Sequence, residues 1–118
     1  MKTIKILSLL LITLLMTSCG SSNGPAISNI LVKDNKSGVL IDTDERATLK
    51  ILQKIFYEKE EAPDAGPYYD YFVDITIDDK TVRWQYSIDG FIRNFEITNG
   101  MIYQLRDVAE FNRTVNIK

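Results

Sequence analysis

The chain has 118 residues, with 14 lysines and arginines against 16 aspartates and glutamates, no histidine and a single cysteine. A formal charge of −2 gives it no field that would gather nucleic acid or anionic lipid headgroups. Lacking histidine and paired thiols, it has none of the usual zinc ligand sets, no Ser-His-Asp or Cys-His arrangement and no histidine-based pH switch, so neither an enzyme nor a bound cofactor or metal is expected.

Lys2 and Lys5 precede an apolar run over residues 6–16 that only Ser8 and Thr13 interrupt. A helix of that length rises about 16 Å, about half the hydrocarbon core of a bilayer, which fits a cleaved signal peptide and not a membrane span. Its end, Leu15-Met16-Thr17-Ser18-Cys19, resembles the lipobox of bacterial lipoproteins, with Met16 standing where Leu is usual. The resemblance implies a signal peptide over residues 1–18, cleavage before Cys19, a diacylglyceryl group on the Cys19 thiol and palmitate-type acylation of the new amino terminus.

A lone thiol in a secreted chain has no disulfide partner, and lipidation accounts for it. Two or more acyl chains anchor stably where one binds only marginally. Loss of Lys2 and Lys5 takes the formal charge from −2 to −4, so acyl chains rather than a basic patch must hold the protein to the membrane. In enterobacterial lipoproteins an Asp directly after the cysteine retains the protein at the inner membrane. Here Gly20 and Ser21 follow, which implies the periplasmic side of the outer membrane in a two-membrane cell and the outer face of the cell membrane otherwise.

The remaining residues suffice for one small domain. Residues 19–25 read as a lipidated tether with a mean reach of about 13 Å, and residues 26–118 as the domain. Residues 26–33 form a strand by their Ile and Val content, Asp34-Asn35-Lys36-Ser37-Gly38 a turn, and Val39-Leu40-Ile41 a second short extended segment. The turn does not suit calcium, because Lys36 sits where an EF-hand loop needs its second oxygen ligand and its twelfth position holds no glutamate. Asp42 or Thr43 is the expected N-cap of a helix running from Glu45 to about Lys59, with Thr48, Ile51, Leu52, Ile55 and Phe56 as its buried stripe and Arg46, Lys50, Lys54 and Glu58 as its solvated side. Residues 59–67 then read as a polar loop.

Residues 68–78 alternate strictly, with Tyr69, Tyr71, Val73, Ile75 and Ile77 on one face and Asp70, Phe72, Asp74, Thr76 and Asp78 on the other. Val82, Trp84, Tyr86 and Ile88 repeat the pattern against Arg83, Gln85 and Ser87. Asp89-Gly90 signals a hairpin whose two central residues need positive φ, residues 91–97 the next strand, and residues 101–105 the last. Asp107 caps a short C-terminal helix with Val108, Phe111 and Val115 on one side. The expected fold is α+β: an antiparallel sheet of four to six strands, ending in a four-strand meander, with one main helix and a short C-terminal helix on a single face. The succession of acidic helix start, helix, proline-containing loop ending in tyrosine, two hairpins and a closing Ile-Tyr-x-Leu strand resembles the small YhfM-like domains of bacterial lipoproteins, a likeness that implies a fold and no activity.

Asp70, Asp74 and Asp78 share a face, but residues four apart on a strand lie about 13 Å apart, too far for an acid-base pair. Phe72 and Ile92 are expected to break the polar face, and Arg83 and Arg93 to make cross-strand ion pairs there. Asp70, Phe72, Asp74, Arg83, Ile92 and Arg93 are therefore the candidate interaction surface, a patch for an envelope protein partner. A non-enzymatic, lipid-anchored envelope protein is the leading expectation. The alternative is an inhibitor or immunity lipoprotein whose acidic segments would complement a basic toxin or hydrolase cleft.

Overall fold

Two alternating runs build the centre of the molecule. In the computed structural model, which describes residues 24–118, β4 (Tyr71–Ile77) and β5 (Lys80–Tyr86) pair antiparallel in unbroken register from Tyr71↔Tyr86 to Ile77↔Lys80. The expected signal segment, Cys19 and most of the tether lie outside the described residues. Before this pair come β1 (Asn29–Asp34), β2 (Val39–Thr43), α1 (Arg46–Tyr57) and β3 (Glu60–Glu61); after it come β6 (Phe91–Asn94), β7 (Ile102–Gln104) and α2 (Val108–Thr114). The strands form one antiparallel sheet in the order β2-β1-β4-β5-β6-β7-β3. The fold is thus α+β, and the expected meander runs as β4 to β7 in consecutive order.

The sheet has seven strands because Glu60 and Glu61, expected as loop, pair with Gln104 and Tyr103 at one edge. Two consecutive glutamates carry no apolar alternation, so neighbouring backbone and not side-chain pattern recruits them. The turn chemistry also falls differently from expectation. The two-residue hairpin with both central residues at positive φ is Asp78-Asp79, at 50° and 64°, closing the Ile77↔Lys80 pair. At Asp89-Gly90 only Gly90 has positive φ, 95°. There the Gly90 N–H donates to Ser87 O and the Ser87 N–H to Phe91 O, which makes a three-residue loop ending in a left-handed glycine. A Cβ on Gly90 would also collide with the Val108 side chain, so glycine lets this turn approach α2.

α1 begins later than expected. Its N-cap is Glu45, whose side chain makes no capping bond, while the Thr43 hydroxyl accepts the Glu45 N–H one step before the helix. The buried stripe is Leu49, Leu52, Ile55 and Phe56; Ile51 is 41% exposed and Thr48 only half-buried. The two phases share Leu52, Ile55 and Phe56, and contact with the sheet selects the one that includes Leu49. α2 is capped as expected, with Asp107 Oδ1 accepting the Glu110 N–H at 3.3 Å and Phe111 and Val115 buried.

Both helices cover the same face. Phe56 of α1 stands edge-on to Trp84 at 5.0 Å between centroids, and Phe111 of α2 meets Tyr86 at 4.8 Å. Beneath them Ile30↔Ile75, Val32↔Val73 and Tyr86↔Ile92 pair across strands to form the floor of the core, with Leu105, Val115 and Ile117 closing it. Tyr86 Oη donates to Asn112 Oδ1 at 2.6 Å, and Asn112 Nδ2 donates to Ile88 O. The Asn112 amide is thus committed at both ends.

Candidate functional site

The open face of the sheet gathers most of the residues singled out from sequence. Asp74 and Arg83 are register partners on β4 and β5, and the guanidinium grips the carboxylate with Nε to Oδ1 at 2.8 Å and Nη2 to Oδ2 at 3.0 Å. Such a two-pronged bond is the strong geometry for this pair. It raises the Arg83 pKa, an effect that burial opposes and the neighbouring Glu96 supports. The guanidinium also lies 5.0 Å from the Phe72 ring centroid, and Phe72 packs edge-on against Phe95 at 5.6 Å. Glu96 Oε2 accepts the backbone N–H of Arg83.

Arg93 lies on the same face, donating to Gln85 Oε1 at 2.8 Å and standing 5.0 Å from the Tyr69 ring. Burial raises the Tyr69 pKa, and Arg93 pulls it back. Asp70 is exposed just before β4. Ile92 does not belong to this surface. It pairs with Tyr86 and Tyr103 on the helix-covered face and has 0% exposure, because adjacent residues of a strand point to opposite faces and Arg93 takes the open one. The expected strand over residues 91–97 ends at Asn94, whose Oδ1 accepts the Glu96 N–H in a local turn that leaves Phe95 and Ile97 exposed. Exposed apolar side chains thus lie in the β6–β7 connection and not at Ile92.

A second feature was not anticipated from sequence. On the helix side, a cavity of about 420 Å³ opens between the end of α1 and the β4–β5–β6 part of the sheet. Phe56 and Tyr57 form one wall; Ile75, Ile77, Val82 and Trp84 form the other. Asp78, Lys80 and Asn94 supply its polar lining. Its cause is one of size: α1 has twelve residues, whereas the seven strands span about 29 Å at the usual spacing, so one helix and a seven-residue partner leave sheet uncovered.

Beside the groove, Lys59 folds back onto its aromatic wall. Its Nζ lies 3.8 Å from the Phe56 centroid, 5.4 Å from Trp84 and 5.0 Å from Tyr103, and it donates to Phe56 O. Cation–π attraction offsets part of the lost hydration, and burial lowers the Lys59 pKa. Among the described residues there is no cluster of three or more metal-ligating side chains, and no helix is long and apolar enough to cross a membrane.

Tyr86, buried, and Tyr57 and Tyr69, half-buried, point to an alkaline limit on stability. Burial raises the pKa of Tyr86 most, with Asp89 and Tyr71 adding to it, and burial raises those of Tyr57 and Tyr69 as well. A phenol held protonated in the fold contributes stability that is complete below its unfolded value near 10 and lost as pH climbs above it. Lys59 acts with the opposite sign, since a lowered amine pKa adds stability as pH rises toward about 10.4 and nothing further beyond. Denaturant unfolding should therefore show stability falling above about pH 10. The Tyr86→Phe variant should fall less steeply; an unchanged slope would show that Tyr86 does not set the limit.

Comparison with known proteins finds no family model, no curated protein and no solved structure that matches the chain.

Proposed function

We propose that this chain is a non-enzymatic lipoprotein of the bacterial cell envelope, anchored through acyl chains on Cys19, whose α+β domain is an interaction module for another envelope component. The observation that carries the reading is the sequence at the start: two lysines, an apolar run too short to span a bilayer, and small residues leading into the only cysteine. On this proposal the protein faces the periplasm from the outer membrane in a two-membrane cell, or lies on the outer face of the cell membrane in a one-membrane cell.

The domain supports a binding role through its open face, where Phe72, the exposed Phe95 and the Arg83 guanidinium form a mixed apolar and charged surface, while Asp74, expected to be exposed there, is buried beneath Arg83. The inhibitor reading gains less, because the Asp74 carboxylate is already matched by Arg83 and offers little to a basic cleft. Metabolic labelling with a palmitate analogue tests the anchor. Wild type should carry label and sediment with membranes, while Cys19→Ser should lose both; a labelled or membrane-bound variant would overturn the proposal. Crosslinking in intact cells tests the module, and failure to recover a reproducible partner from labelled, membrane-bound protein would count against it.

A further inference from the structure

The first described residues run directly beside the apolar groove. The Tyr57 hydroxyl, on the groove wall, donates to Pro25 O at 2.7 Å, and a Cβ on Gly24 would come within 2.5 Å of Tyr57 Cε1. Further in, the Ile27 N–H donates to Gln53 Oε1 of α1 and the Ser28 N–H to Thr76 O of β4, so this stretch is pinned between the two elements that border the groove. Cys19 is five residues before Gly24, and five residues reach at most about 17 Å. The expected lipid attachment point is thus within reach of the groove, and the groove walls are alkyl and aromatic.

We propose that this groove shelters one acyl chain of the protein's own Cys19 lipid. The inference rests on the lipoprotein reading given above. An acyl chain needs apolar contact and no hydrogen bonds, which the Phe56, Tyr57, Ile75, Ile77, Val82 and Trp84 walls provide. A chain tethered at this distance is presented to the groove at an effective concentration in the millimolar range, which a free lipid does not match. Within a bilayer the acyl chain gains nothing by leaving its apolar surroundings. Once the protein is out of the membrane, burying methylenes against Trp84 and Phe56 removes them from water. The groove therefore takes up the chain when the protein is out of the membrane and not while the chain lies in the bilayer.

The test uses full-length protein from cells fed a palmitate analogue bearing a photoactivatable diazirine. The protein is extracted, diluted below the micellar concentration of the detergent and irradiated. Label at Cys19 with crosslinks inside the same molecule, on peptides containing Phe56 and Tyr57 or Ile75 to Trp84, is the expected result. Val82→Phe, which fills the groove, should reduce those crosslinks at least about fivefold. Trp84 is the only tryptophan, and its emission supplies a readout that needs no groove variant: it should lie to the blue in the lipidated protein relative to Cys19→Ser. Labelled Cys19 with crosslinks elsewhere or only between molecules, together with unchanged Trp84 emission, would overturn the groove proposal and leave the lipoprotein reading standing. Absence of label at Cys19 would remove both.

Discussion

Replacing Phe111 with alanine is expected to lower the unfolding free energy by about 3–5 kcal/mol, the usual range for deleting a buried aromatic ring. Phe111 is 2% exposed and packs on Tyr86 at 4.8 Å, and it is the buried residue within the seven residues of α2. A helix of that length has almost no stability of its own in water and persists because its apolar side is docked. Without the ring, α2 loosens and the Tyr86–Asn112 hydrogen bond is exposed to competition from water. For a domain of this size each kcal/mol shifts Tm by about 4–8 °C, so a drop of more than about 12 °C is expected. A change below about 1 kcal/mol would show that α2 is not held by this contact.

The second large effect lies on the opposite face. Asp74→Ala should cost about 1.5–3 kcal/mol, since the hydrogen bonds lost are to a charged group. The Arg83 side chain is 38% exposed, so water screens part of the stranded charge and keeps the loss below that of a fully buried pair. The double variant Asp74→Leu with Arg83→Leu should recover most of the stability, because two apolar side chains replace the pair without leaving either charge alone. Urea unfolding of both variants checks this. A double variant as unstable as Asp74→Ala would mean that shape, not charge pairing, dominates at this position.

Those two sites mark how far the sequence could be read. The pairing of β4 with β5 was legible because period-two alternation runs through both, and Asp74–Arg83 follows once that register is set; burial was less legible, since Asp74 is buried beside Val73 and Ile75, and Ile88, expected on the buried face, lies beyond the end of β5 and is exposed while Ser87 is buried. Asp107 and Phe111 were legible for a similar reason, since cap and apolar spacing point to the same helix. Ile92 was misplaced because it was set on the same face as its neighbour Arg93, which strand alternation forbids, and the four residues of β6 do not by themselves show which of the two is buried. The α1 stripe was ambiguous because Ile51 and Leu49 give competing phases, a choice that only docking resolves. β3 and the groove were invisible for a different reason. Both arise from what lies beside a segment in space, namely a free backbone edge on β7 and uncovered sheet beyond α1.

The two borders of the sheet differ in a way that bears on self-association. β3 ends one side with two exposed glutamates, so a second strand arriving there would meet like charge after only two residues. β2 ends the other side with five residues and an exposed Val39, and Asn116 Nδ2 donates to Leu40 O along that margin. Of the two, the β2 margin is the longer. That margin is itself partly occupied, since Asn116 already takes the Leu40 carbonyl, so the sheet is guarded by charge at one border and by its own C-terminal segment at the other.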